Sequence, residues 1–213
     1  MQLGVVNRFG LSGLNEVWFG WMLGGSPGLF RLDAQTVGDV DYRRATVQVS
    51  FHKKLTETFW LGSGLGVDLR ATRGYGVRGM PTASVSAGGW VGKRILWGSV
   101  WENPQILLKT KVLGGRQIGR IRGAIVYRHA AAVEFSAGMD WESMGFTSFF
   151  LRGTYKFSPI WRMALGYGWQ PDQIVLSVQR SVYKGCIGFG FSQDAVLGSS
   201  FSFQIGKVIN QKK

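Results

Sequence analysis

Residues 161–170 read Trp161-Arg162-Met163-Ala164-Leu165-Gly166-Tyr167-Gly168-Trp169-Gln170. Every odd position carries a large apolar side chain, and every even position a small or polar one. Successive side chains of a strand point to opposite faces, so this segment has one greasy wall and one small or polar wall. The i, i+3, i+4, i+7 spacing of an amphipathic helix is absent.

The same alternation recurs in both directions. On 59–69, Phe59, Leu61, Leu65, Val67 and Leu69 share a face broken only by Ser63, opposite Trp60, Gly62, Gly64, Gly66 and Asp68. Those eleven residues suit one tilted membrane crossing, which takes about 9–11. On 147–157, Phe149, Leu151, Tyr155 and Phe157 oppose Phe150, Arg152, Thr154 and Lys156. On 174–180, Ile174, Leu176 and Val178 oppose Val175, Ser177 and Gln179. Shorter runs follow the rule at Val17 to Leu23, Val47 to Phe51, Val133 to Met139, Ile187 to Phe191 and Phe201 to Ile205. The expected fold is all-β: an antiparallel meander of about 12–14 strands forming a membrane β-barrel or an open, barrel-like sheet. The aromatic side chains Phe59, Phe149, Tyr155, Trp161, Tyr167, Trp169, Phe189, Phe191, Phe201 and Phe203 are expected to face lipid or a partner.

Turn formers separate the runs: Gly24-Gly25-Ser26-Pro27, Arg73-Gly74, Asn103-Pro104, Gly114-Gly115, Gln170-Pro171-Asp172 and Gln193-Asp194. The weakest pattern lies in 24–45, where Asp33, Asp39, Asp41, Arg43 and Arg44 gather. That stretch reads as a loop or a partial strand. No linker or low-complexity block divides residues 1–213, which read as one barrel-like domain.

Glycine makes up 32 of 213 residues, about twice the usual share. Glycine weakens an ordinary strand, so its abundance implies close backbone approach or bends in a curved sheet. Nine Trp and fourteen Phe suit a lipid-facing wall with aromatic rims. A soluble barrel or sandwich with an aromatic core is the competing reading. It fits less well, because a soluble barrel of this size needs many more charged outer positions. No segment approaches the roughly 20 apolar residues of a transmembrane helix. Met1 to Arg8 lacks the basic start and apolar core of a secretory signal peptide, which favours a mitochondrial over a bacterial outer membrane.

The formal charge is +13. On the strands the basic residues fall mostly on the non-greasy wall: Arg70, Lys109, Lys111, Arg120, Arg122, Arg152, Lys156 and Arg162. A cationic lumen would favour anionic solutes or acidic peptide segments. Rim positions would instead bind acidic headgroups or a partner, and a third reading is that the charges only keep this wall wet. Dispersal through a sheet with no recognised motif argues against nucleic acid.

Catalytic signals are sparse. Cys186 is the only cysteine, which supports neither an intrachain disulfide nor a metal cluster. His52 and His129 lack a second histidine at ligand spacing. Gly62-x-Gly64-x-Gly66 sits inside a strand and opens no helix, so it fails as a nucleotide loop. There is no Gly-x-Ser-x-Gly elbow. No enzymatic activity, cofactor or metal is expected.

The stretch Phe51-His52-Lys53-Lys54-Leu55-Thr56, continuing through Arg70-Ala71-Thr72-Arg73-Gly74-Tyr75-Gly76-Val77-Arg78-Gly79-Met80-Pro81 to Gly98-Ser99-Val100-Trp101, resembles the barrel-like domain of the mitochondrial DnaJ homolog subfamily C member eleven family. Leu176 to Tyr183 and Ser192 to Phe201 resemble the strands that close that domain. The likeness covers residues 42–205. It implies the mitochondrial outer membrane and a link to the machinery that shapes cristae. The family's J domain and its His-Pro-Asp motif have no counterpart, and neither has its helical C-terminal region. No co-chaperone activity or Hsp70 recruitment is therefore implied. Gly198, Phe201 and Phe203 also fit part of the last-strand sorting signal of mitochondrial barrels, with Val196 where a polar residue belongs.

The expectation is a non-enzymatic scaffold or subunit of a larger assembly in the mitochondrial outer membrane, in contact with lipid and other subunits. One alternative is a pore with a cationic lumen for anionic solutes or peptides. Another is a soluble accessory subunit of a mitochondrial complex that uses its aromatic wall as an interface. A narrow, partly filled or incompletely closed barrel places the scaffold first.

Overall fold

The computed structural model describes residues 1–8, 15–25, 28–104, 119–143, 145 and 147–207. Among them are fourteen strands. In chain order they are β1 (Gln2–Asn7), β2 (Asn15–Gly25), β3 (Gly28–Gly38), β4 (Tyr42–Lys54), β5 (Phe59–Thr72), β6 (Gly76–Val91) and β7 (Ile95–Glu102), then β8 (Arg120–Ala130), β9 (Val133–Glu142), β10 (Thr147–Tyr155), β11 (Trp161–Trp169), β12 (Gln173–Val182), β13 (Gly185–Asp194) and β14 (Gly198–Lys207). Each pairs antiparallel with its neighbour in sequence, and β1 pairs with β14, so the sheet is a closed barrel. The seam runs from Gln2 opposite Gly206 to Asn7 opposite Phe201. Closure satisfies the backbone of every strand without an open edge, the condition for a sheet to stand in hydrocarbon. The open-sheet alternative, and the incomplete closure that placed the scaffold first, are therefore set aside.

Short turns at 55–58, 92–94, 131–132 and 183–184 lie at the end that holds both termini. β7 ends and β8 begins at the other end. Gly114 and Gly115, expected as a turn, fall outside the described residues, as do Ser26 and Pro27.

The reading of 24–45 as a loop or partial strand is corrected. β3 is a full strand of eleven residues, paired with β2 from Val37 opposite Glu16 to Gly28 opposite Gly25, and with β4 along its other edge. Its alternation is weak because its outward face mixes Phe30 and Leu32 with Ala34 and Thr36. Arg31, Asp33 and Gln35, which resemble loop composition, form its inward face.

Burial is inverted relative to a water-soluble protein. Among the described residues Ala164 is the only buried hydrophobic one, while Glu16, Asp68 and Asp194 are buried. Leu65, Phe189 and Leu151 are 73%, 63% and 62% exposed. Carboxylates inside and leucines outside require a surrounding solvent less polar than the interior. The soluble reading with an aromatic core is thus corrected.

The inner wall also explains part of the glycine content. Trp18 lies over Gly4, its partner across the β1–β2 ladder, and Phe150 lies over Gly138 across β9–β10, each so close that a Cβ on the glycine would overlap the ring. Trp60 lies over Gly88 in the same way across β5–β6. The rings lie along the wall instead of projecting into the lumen.

Candidate functional site: a lumen with a paired side and a neutral side

Strand parity places every second side chain inside, and register decides which of them meet. On β4 and β5, Arg44, Thr46, Asp68 and Arg70 share the inner face. Arg44 Nε donates to Asp68 Oδ1 at 2.8 Å, and Arg70 Nη2 donates to Asp68 Oδ2 at 3.0 Å. Asp68 has only 5% of its side chain exposed, so it is an anion buried between two cations.

A second cluster spans β7, β8 and β9, where register sets Arg120 opposite both Glu102 and Glu142, and Arg122 opposite Asp140. The rotamers shift these pairings by one step. Arg120 Nε donates to Asp140 Oδ1 at 2.6 Å, with Glu142 at 3.7 Å, and Arg122 bonds Glu102. Arg31 Nε donates to Asp33 Oδ1 at 2.9 Å, and Arg8 Nε to Glu16 Oε2 at 3.0 Å. Glu134 holds Arg128 at 3.2 Å and Lys156 at 3.8 Å.

The wall formed by β11 to β14 differs. Apart from Arg162 and the buried Asp194, its inner positions are small or neutral, among them Ala164, Gly166, Ser177, Gln179, Gly188, Gly190, Ser202 and Gln204. Arg152, on neighbouring β10, reaches across Gly166 and donates from Nη2 to Ser177 Oγ at 2.8 Å. Among the described residues neither Arg152 nor Arg162 has a carboxylate within 4 Å, unlike every other arginine expected at the site. Both line a cavity of about 660 Å³, together with Ser136, Thr154, Gln173 and Gln204. Arg8 lines this cavity and a second one of about 650 Å³ on the paired side.

Of the basic residues expected on this wall, Arg70, Arg120, Arg122 and Lys156 are therefore neutralised by carboxylates. Arg152 and Arg162 are not. Lys109 and Lys111 fall outside the described residues. Of the aromatic residues named from the sequence, Phe149, Tyr155, Tyr167, Trp169, Phe189, Phe191, Phe201 and Phe203 are exposed, and Phe59 and Trp161 are partly covered. Sequence reading missed the carboxylates Glu16, Asp33, Glu102 and Asp140 as partners. Their parity in each strand, set against the hairpin register, carries that signal.

His52 faces inward, with Nε2 3.2 Å from Ser50 Oγ and Nδ1 3.3 Å from Ser86 Oγ. His129 faces outward beside the Tyr127 ring. Cys186 faces inward against Gly206. Among the described residues no cluster of three or more His, Cys, Asp or Glu could hold a metal ion.

No protein family matches the sequence, and no curated protein matches it either. Solved structures do match. A KdgM porin aligns over 98% of both chains at 8% identity and a TM-score of 0.56, and that porin in complex with disordered oligogalacturonate aligns equally widely at 0.55. A Pseudomonas aeruginosa FadL homologue aligns over 98% of this chain and 88% of its own at 11% identity and a TM-score of 0.66.

These likenesses overturn the resemblance to the DnaJ homolog subfamily C member eleven family, and the mitochondrial placement and cristae link lose their support with it. The residues that carried it explain the error. Phe51 to Trp101 is the run of hairpins joining β4 to β7, and its Leu-Thr turn, Arg-Gly turn and Trp-bearing strand are features any antiparallel barrel produces. Gly198 opens β14 at φ 93°, so a turn requirement places it there. The chain has the fold of a porin-like membrane β-barrel, closed by fourteen strands.

Proposed function

We propose that the chain is a pore of a bacterial-type outer membrane that passes anionic solutes along the β10–β14 side of its lumen. The observation that carries this reading is the pair Arg152 and Arg162, two cations without a carboxylate partner on a wall of hydroxyls and amides. Inside a low-dielectric wall an unneutralised arginine raises the local concentration of anions, and its planar fork suits a carboxylate or phosphate. Fourteen strands exceed the eight whose interior side chains can fill. The flat seating of Trp18, Trp60 and Phe150 keeps that space open. The porin solved with oligogalacturonate offers a precedent for a carboxylated solute in such a barrel. The scaffold reading now rests on no structural feature of its own.

Planar-bilayer recording tests the proposal. The expected result is a conductance whose reversal potential in a KCl gradient shows anion preference, reduced or inverted in the double variant Arg152→Glu, Arg162→Glu. Absence of conductance, or a reversal potential indifferent to that variant, would remove the reading.

A further inference from the structure

One end of the barrel gathers cations that have no carboxylate partner. Lys53, Lys93, Arg94, Arg180, Lys184 and Lys207 all stand at the end that holds the termini. Among the described residues none of them has a carboxylate within ion-pair distance. The acidic residues in this half are Asp33, Glu57 and Glu134, and each is already paired. The remaining acidic side chains lie in the other half, at the rim on Asp39, Asp41, Asp172 and Asp194, and within the lumen.

Arg180 on β12, Lys184 in the β12–β13 turn and Lys207 at the end of β14 stand on neighbouring segments of this end. Register sets Arg180 opposite Trp161 and Ile187, and Lys207 opposite Gly185, which follows Lys184. Arg180 and Lys207 share the outward face with lipid-facing Phe189 and Phe203, so their charges are directed to the surroundings rather than to the lumen. Arg180 stacks over the Trp161 ring at 5.4 Å, and Lys184 over the Tyr183 ring at 5.1 Å. Tyr183 is 90% exposed. Cations on amphipathic rings at the edge of an apolar band sit at headgroup depth, where the aromatic body rests on hydrocarbon and the charge meets phosphate.

We propose that Arg180, Lys184 and Lys207 form a binding site for anionic phospholipid headgroups. The proposal also orients the barrel: the end holding the termini faces the leaflet that carries those lipids. It needs the barrel to stand in a membrane but is independent of whether the lumen conducts.

The test uses the full chain purified in detergent and exposed to equal amounts of phosphatidylglycerol and phosphatidylcholine, with retained lipid counted by native mass spectrometry. The expected result is preferential retention of phosphatidylglycerol that weakens with added salt. In the triple variant Arg180→Gln, Lys184→Gln, Lys207→Gln the preference falls about tenfold or more, given the strength of basic residues at anionic surfaces. The control Arg43→Gln, Arg73→Gln, at the opposite end, keeps it. Equal retention of both lipids by the unaltered chain would overturn the proposal, and so would a triple variant that keeps the preference. Circular dichroism of each variant checks that the barrel is intact.

Discussion

The Trp60 indole lies flat against Gly88, its cross-strand partner, with Nε1 2.6 Å from the point where a Cβ on residue 88 would stand. The glycine is the seat that keeps a large ring out of the lumen. Gly88→Val must push the indole inward, with overpacking that costs about 1–3 kcal/mol. Single-channel conductance should fall, and adding Trp60→Ala to Gly88→Val should restore it. An unchanged conductance in the single variant would show that the ring has another place to go.

Asp68 is held by Arg44 and Arg70. Asp68→Asn leaves two adjacent guanidinium groups without their anion, and charged hydrogen bonds of this kind contribute about 1.5–3 kcal/mol. The arginines are partly exposed, so a loss near 2 kcal/mol is expected in urea unfolding from lipid vesicles. The same variant should raise the anion preference of the pore, since it adds net positive charge to the lumen.

Leu165 is the central outward residue of β11 and is 57% exposed. An arginine there would sit in hydrocarbon, at a cost of about 2–4 kcal/mol, falling to about 0–1 at the interface. Leu165→Arg should therefore destabilise the folded barrel in vesicles far more than Val182→Arg, at the end of β12. Equal effects would argue against a lipid-facing wall.

In the β3–β4 turn, Asp39 accepts from the backbone N–H groups of Tyr42 at 3.0 Å and Asp41 at 2.9 Å. Those bonds hold its carboxyl below the ordinary value of 3.8, the Tyr42 N–H most of all. A depressed carboxyl contributes stability above its unfolded pKa and loses it as pH falls through the lower folded value. Amide hydrogen exchange in 39–42 should therefore quicken on acidification below 3.8, and Asp39→Asn should lose that pH dependence. Exchange in the turn with the same pH dependence in both proteins would count against this role.

The alternation of Trp161 to Trp169 was legible because both of its walls have a clear chemical character, and the same holds for β5, β10 and β12. β3 was not, because Arg31, Asp33 and Gln35 carry loop-like composition on an inward face whose outward partners include only two large apolar residues. The basic inner wall was legible through parity alone. Its neutralisation was not: whether Arg122 meets Glu102 depends on hairpin register, while Arg152 is distinguished only by the Ser and Gly residues that surround it in space. Glycine abundance pointed to close approach, but identifying Gly88 as the seat of Trp60 needs the pairing of β5 with β6.

The β1–β14 seam has a consequence for how the molecule comes into being. Gln2 meets Gly206, so the first strand waits for the last before either has its second neighbour. Until β14 arrives, both margins of the growing sheet offer unpaired amides and carbonyls, which hydrocarbon does not tolerate and which other chains would readily adopt as templates. Assembly is thus all or nothing with respect to the bilayer, and a sheet that lacks β14 has no stable resting place in it.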